Sequence, residues 1–351
     1  MRRPCPQMPD FRRAACLALT VAVVALGARA APTAAQDGLP GRYVDLVFQS
    51  VTRTNGVKYG SAIDRPSGRT VNLFLDIYEP TGDTAARRPV FVFAFGGGFV
   101  AGDRQREPRV YCEQMARRGY VGVAIDYRLN QGNIFQDGVP AAVADARQSL
   151  RWLRANADRY RLDVDRIVMG GSSAGAITSL FVAYTDVERG PDDGPPDVAA
   201  VVDLWGGLYP YVGEMAAGEP PLVIIHGTAD SLVPFSEAEK LRDRATEVGI
   251  PILFHPLTGQ GHAPYMPVEL MAVAAPFLFA QLWSAAPTPS PSPPPTDLPT
   301  ATATTPPTET PVPTTVTPAP ATTTPVPTLA PTTAAPPVVA PAYLPVLSRG
   351  G

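Results

Sequence analysis

Ser173 stands in Gly171-Ser172-Ser173-Ala174-Gly175, a G-x-S-x-G pentapeptide between an apolar run and a helical pattern. A strand-to-helix turn this tight has no room for a side chain on either flank. It lifts the central hydroxyl to the carboxyl edge of a sheet, over a helix N-terminus whose N–H groups favour negative charge. A serine hydroxyl is a weak nucleophile and needs a base. The chain has three histidines. His262 lies in the Gly-rich stretch 259–264, open to solvent and substrate. His226 and His255 fall at or within apolar strand-like runs and read as structural or turn-forming. The base is therefore expected at His262. An acid must hold its ring in the right tautomer. Asp230, in His226-Gly227-Thr228-Ala229-Asp230, is the first candidate, and Asp203, at the end of the preceding strand, is the runner-up. Phe95-Gly96-Gly97-Gly98-Phe99 follows another apolar run. The N–H groups of Gly97 and Gly98, with that of Ala174, could receive the oxyanion of a tetrahedral intermediate. The chain contains neither G-x-x-x-x-G-K-[ST] nor G-x-G-x-x-G, so a phosphate loop is a poor alternative. Phe99, Trp205 and Tyr209 are candidate substrate contacts. This chemistry calls for no cofactor and no metal.

These residues need a rigid frame. Strand-like runs occur at 43–48, 71–78, 90–95, 120–125, 166–170, 198–204, 222–226 and 252–255. The later ones are continuous and apolar, as expected of strands covered on both faces. Helical patterns lie between them, at 104–118, 140–158, 174–186, 235–248 and 265–284. In the second, Val143, Ala146, Leu150, Leu153 and Ala157 form one apolar stripe, and Pro140 suits a first turn. Alternation of this kind predicts an α/β fold with a mostly parallel central sheet and helices on both faces.

Composition narrows the function classes. The chain has 351 residues, 45% hydrophobic and 17% charged, enough for a substantial core. Its formal net charge is −3, and Lys58 and Lys240 are its only lysines. A nucleic-acid partner is not expected, since phosphates need clustered basic groups. No apolar run reaches 18 residues, the length of a spanning helix.

Both ends read as different material. Residues 1–35 fit an export signal: Arg2, Arg3, Arg12 and Arg13, then the apolar stretch 14–28, then Ala28-Arg29-Ala30, with cleavage expected after Ala30 or Ala35. Cys112 would then be the one mature cysteine, a core or helix-face residue. Residues 36–284 form the expected catalytic domain. Residues 285–341 contain 19 Pro and 17 Thr, with only Asp297 and Glu309 charged. That composition predicts an extended spacer. Residues 342–351 are a short tail, read either as a cell-surface sorting tag or as a frayed end. The expected location is secreted or cell-surface associated.

Taken in order, Gly96-Gly97-Gly98, Asp126-Tyr127-Arg128-Leu129, the pentapeptide at 171–175, His226-Gly227-Thr228-Ala229-Asp230 and Gly261-His262 resemble the α/β-hydrolase superfamily. The likeness covers about residues 40–284 and is nearest to bacterial carboxylesterases similar to hormone-sensitive lipase and to feruloyl-type esterases. It implies Ser173 as nucleophile, His262 as base, Asp230 as acid, and Gly97, Gly98 and Ala174 as oxyanion donors. Phe95 stands where many relatives have His, and Ser172 where Asp is common. No large lid fits the interval between Ser173 and Asp230. Residues 205–220, with Tyr209, Tyr211 and Met215, are the expected cover of an open, partly aromatic cleft. The expected partner is an ester substrate, either a small molecule or attached to a polymer. The competing readings are a polyester depolymerase or serine peptidase on the same fold, and a surface-binding protein with a dead hydrolase core.

Overall fold

The computed structural model describes residues 40–190 and 198–284. The stretches expected to be an export signal, a Pro/Thr-rich spacer and a C-terminal tail lie outside the described residues.

Eight strands form one sheet: β1 (Val51–Asp64), β2 (Arg69–Pro80), β3 (Arg88–Ala94), β4 (Val121–Ile125), β5 (Leu162–Ser172), β6 (Ala200–Leu204), β7 (Leu222–Gly227) and β8 (Ile252–Leu257). Their spatial order is β1-β2-β4-β3-β5-β6-β7-β8. The hairpin β1–β2 and the pair β2–β4 are antiparallel, and every later pairing is parallel. The helices are α1 (Glu107–Ala116), α2 (Val139–Ala155), the single turn α3 (Ala157–Tyr160), α4 (Ala174–Tyr184), α5 (Phe235–Val248) and α6 (Pro267–Ser284). A π-turn at Ile134–Gly138 leads into α2, and a 3-10 turn at Tyr209–Glu214 follows β6.

Alternation along the buried strands builds two cores. Val90, Val92 and Ala94 of β3 face α2, α4 and α5, whereas Phe91 and Phe93 face α1 and α6. The stripe on α2 points into the first core: Val143, Ala146, Leu150 and Leu153 are buried. Cys112 on α1 is fully buried in the second, and burial pushes its thiol well above the ordinary range. At α/β level the architecture is as the alternation predicts, with no large lid among the described residues.

One expected strand is corrected. Residues 43–48 form turns and extended coil. Tyr43 has φ +74° and stacks on Trp283 with ring centroids 4.5 Å apart. The N–H groups of Tyr43 and Phe48 donate to the carbonyls of Arg118 and Arg117, not to a strand. The apolar residues here pin a segment onto the end of α1. The strand at that end of the sheet is β1, whose polar sequence hides it. As an edge strand it leaves half of its residues exposed.

Candidate active site

Ser173 occupies the turn between β5 and α4 at φ +49°, ψ −115°, a strained conformation for a residue with a side chain. Its neighbours explain the glycines. A Cβ on Gly175 would lie 2.1 Å from the carbonyl oxygen of Ala94, and one on Gly171 2.3 Å from the Gly175 backbone. Only bare backbone fits there.

His262 and Asp230 arrive from the ends of β8 and β7. His262 Nδ1 lies 2.7 Å from Asp230 Oδ2, and Nε2 lies 3.0 Å from Ser173 Oγ. A carboxylate can only accept here, so Nδ1 carries the proton and Nε2 is bare toward the serine hydroxyl. Asp230 is held in turn: its Oδ1 accepts the N–H groups of Leu232 and Val233 at 2.9 and 3.0 Å. The loops carrying acid and base are stitched together. Thr228 N–H donates to Leu257 O, Ala229 N–H to Gln260 O, and Gly259 N–H to Thr228 Oγ1.

Gly97, Gly98 and Ala174 line the same cleft as Ser173. Their N–H groups donate to no acceptor among the described residues. Gly97 has φ +126°, and a Cβ there would meet the carbonyl of Ala101 at 2.1 Å. The loop holds its shape without the histidine common in relatives. Phe95 stacks on Tyr127 at 4.2 Å, and the Tyr127 hydroxyl donates to Phe95 O at 2.8 Å.

The cleft encloses about 530 Å³ and is walled by Phe99, Ile177, Trp205, Tyr209, Leu232 and the pair Ile134–Phe135. Phe99, Trp205 and Tyr209 thus border it as expected, but the cover differs from expectation. Met215 is fully buried, and Tyr211 packs edge-on against Phe181 of α4, so both serve the core. Phe135, on the π-turn, supplies the missing wall.

Asp203, the runner-up acid, is fully buried on β6. Its Oδ1 accepts the N–H of Gly206 at 2.7 Å, and it makes no hydrogen bond to His262. Burial raises its carboxyl to about 6, against a lowering pull from His226. His255 pairs with Ile225 along β8 and does not border the cleft.

Sequence reasoning misses Glu107, the first residue of α1. Its carboxylate takes the Ser172 hydroxyl at 2.7 Å and the Gly96 N–H at 3.3 Å, tying the glycine loop to the nucleophile turn. Burial pushes its carboxyl up, partly offset by those two bonds. Ser172 in place of the usual Asp is the one signal in the sequence for an acid supplied from elsewhere.

A family model described as BD-FAE matches residues 75–208. The chain is 25% identical over 258 residues to the probable carboxylic ester hydrolase LipM of Mycobacterium tuberculosis, covering 62% of this chain and 57% of that protein. Esterase LipC of the same organism is 24% identical, covering 54% and 56%. The chain therefore spans somewhat over half the length of these curated relatives. Among solved structures, a thermophilic esterase of Thermogutta terrifontis with propionate bound aligns at a TM-score of 0.53 and 25% identity, covering 68% of this chain and 94% of that one. The same esterase phosphorylated by paraoxon aligns at 0.54 and 27%, covering 66% and 94%. By its sheet order, its motifs and these likenesses, the chain has the α/β-hydrolase fold and is similar to bacterial carboxylesterases.

Proposed function

We propose that the protein is a serine carboxylesterase that works through an acyl-enzyme. The observation that carries this is the Ser173–His262–Asp230 chain, closed at 3.0 and 2.7 Å beside three unengaged backbone N–H groups. Ser173 Oγ attacks the ester carbonyl while His262 Nε2 takes its proton. Asp230 steadies the imidazolium, and Gly97, Gly98 and Ala174 receive the oxyanion. The imidazolium then protonates the leaving alcohol. Water, deprotonated by the same nitrogen, splits the acyl-enzyme and frees Ser173.

The apolar walls favour uncharged acyl groups. The propionate-bound and butyrate-bound states of the Thermogutta esterase support short acyl chains as the first substrates to try. The N-terminal sequence supports export, with the Pro/Thr-rich segment as a spacer to a surface. N-terminal sequencing of secreted protein tests that part.

Replacing Ser173 with Ala should abolish p-nitrophenyl acetate hydrolysis and labelling by a fluorophosphonate. Turnover that survives the substitution refutes the assignment.

A further inference from the structure

Glu107 is the one acidic side chain among the described residues that borders the cleft. Its two oxygens are used unequally. Oε2 accepts both tethering bonds, from the Ser172 hydroxyl and the Gly96 N–H. Oε1 takes neither of them and is not sealed from solvent. No arginine or lysine among the described residues offsets the charge. Tying a loop to a turn needs only an acceptor, and a partly buried, unpaired carboxylate costs free energy that an amide would not. The spare oxygen therefore adds nothing to the tether.

We propose that Glu107 is a specificity-determining residue. Its Oε1 accepts a hydrogen bond from the alcohol half of the substrate and so selects monoesters of vicinal diols, which keep a free hydroxyl beside the ester oxygen. This rests on the esterase reading above. The leaving oxygen must lie against His262 Nε2, which protonates it. The Glu107 carboxylate acts electrostatically on His262 and borders the same cleft.

The other polar side chains of the cleft are already engaged. Ser173 and His262 form the relay, the Ser172 hydroxyl is given to Oε2, and Tyr209 stands among the apolar walls against Phe135. A donor on the leaving alcohol thus finds its charged acceptor at Oε1, and charge-assisted hydrogen bonds are about twice as strong as neutral ones. A carboxylate only accepts. The same oxygen repels an alcohol that carries a negative charge.

The test measures kcat/KM of the full chain, as wild type and Glu107→Gln, on three butyrate esters of similar size. The alcohols are propanol, ethylene glycol (one hydroxyl esterified) and glycolate, which is anionic. Released acid is titrated at constant, mildly alkaline pH, and each rate is divided by that ester's rate with hydroxide, which removes intrinsic reactivity. The wild type should prefer the glycol ester to the propyl ester about tenfold and should disfavour the glycolate ester. In Glu107→Gln the glycol preference should shrink to within about threefold, and the glycolate-to-propyl ratio should rise several-fold as the charge is lost. A mere tether lowers all three rates together, so equal losses on the three esters overturn the proposal. So does a wild type that treats the glycol and propyl esters alike. If the variant does not fold, the wild-type ratio decides alone, because no other acidic side chain among the described residues borders the cleft. A wild type that hydrolyses p-nitrophenyl acetate yet shows no glycol preference sinks only the role of Glu107. One that hydrolyses no ester sinks the esterase reading and this inference with it.

Discussion

Phe135 meets Tyr209 edge to face, with ring centroids 4.9 Å apart and planes at 73°. One ring stands on the π-turn before α2 and the other on the 3-10 turn after β6, and both border the cleft. Phe135 is 43% exposed, so trimming it should cost less than about 1 kcal/mol of stability. It should also open one wall. Phe135→Ala is expected to raise kcat/KM for octanoyl relative to acetyl p-nitrophenyl esters several-fold. An unchanged ratio across the acyl series would show that this pair does not bound the substrate.

Gly227 lies where the acid and base loops press together. A Cβ there would sit 2.4 Å from Gln260 O and 2.5 Å from Gly261 O, both backbone atoms. Gly227→Ala must push the segment before His262 aside. A misplacement of about 1 Å near reacting groups can cost on the order of 100-fold, so kcat should fall by about that much. Steady-state kinetics with circular dichroism as a control for folding would check it.

Glu107 can be separated from its charge. Gln keeps an acceptor for the Ser172 hydroxyl or the Gly96 N–H, whereas Leu strands both donors. Glu107→Gln should stay within a few-fold of wild-type kcat. Glu107→Leu should lose about 10- to 100-fold and about 2 kcal/mol of stability. Equal losses in the two variants would mean that the charge, not the tether, matters.

Asp203 makes a stability prediction with a definite sign. Its carboxyl is raised from 3.8 to about 6. Below about pH 4 it is neutral folded and unfolded, and its contribution is fully present. As pH rises through 6 the folded chain takes on a buried charge and that contribution is lost, by up to about 3 kcal/mol. Asp203→Asn keeps an acceptor for Gly206 and cannot ionise. The difference in Tm between variant and wild type should therefore shift in favour of the variant between pH 4 and pH 7. Calorimetry across that range reads the slope, which a pH-independent packing cost cannot mimic.

What could be read from the sequence follows from how local the cause is. The turn at Ser173 is dictated by two glycines whose missing side chains are needed within a few residues. His262 stands out because a Gly-rich loop after the last strand leaves a histidine accessible. Both parallel-sheet cores follow from strands that are apolar throughout. Glu107 does not announce itself, because its partner Ser172 is 65 positions away and nothing around it marks an acid as buried. Phe135 looks like an ordinary loop residue until the π-turn brings it to Tyr209. At the other end of the sheet, the polar, half-wet β1 lacks the apolar signal that the segment at 43–48 carries without being a strand.

The backbone bonds from Thr228, Ala229 and Gly259 unite the acid and base loops at one end of the sheet. Phe135 and Tyr209 hang from other turns and share none of that stitching. Drift in the aromatic rims can recut the chamber for new guests while the proton-handling pair rides unchanged on its clamp. The molecule thus keeps its diet and its engine on separate mounts.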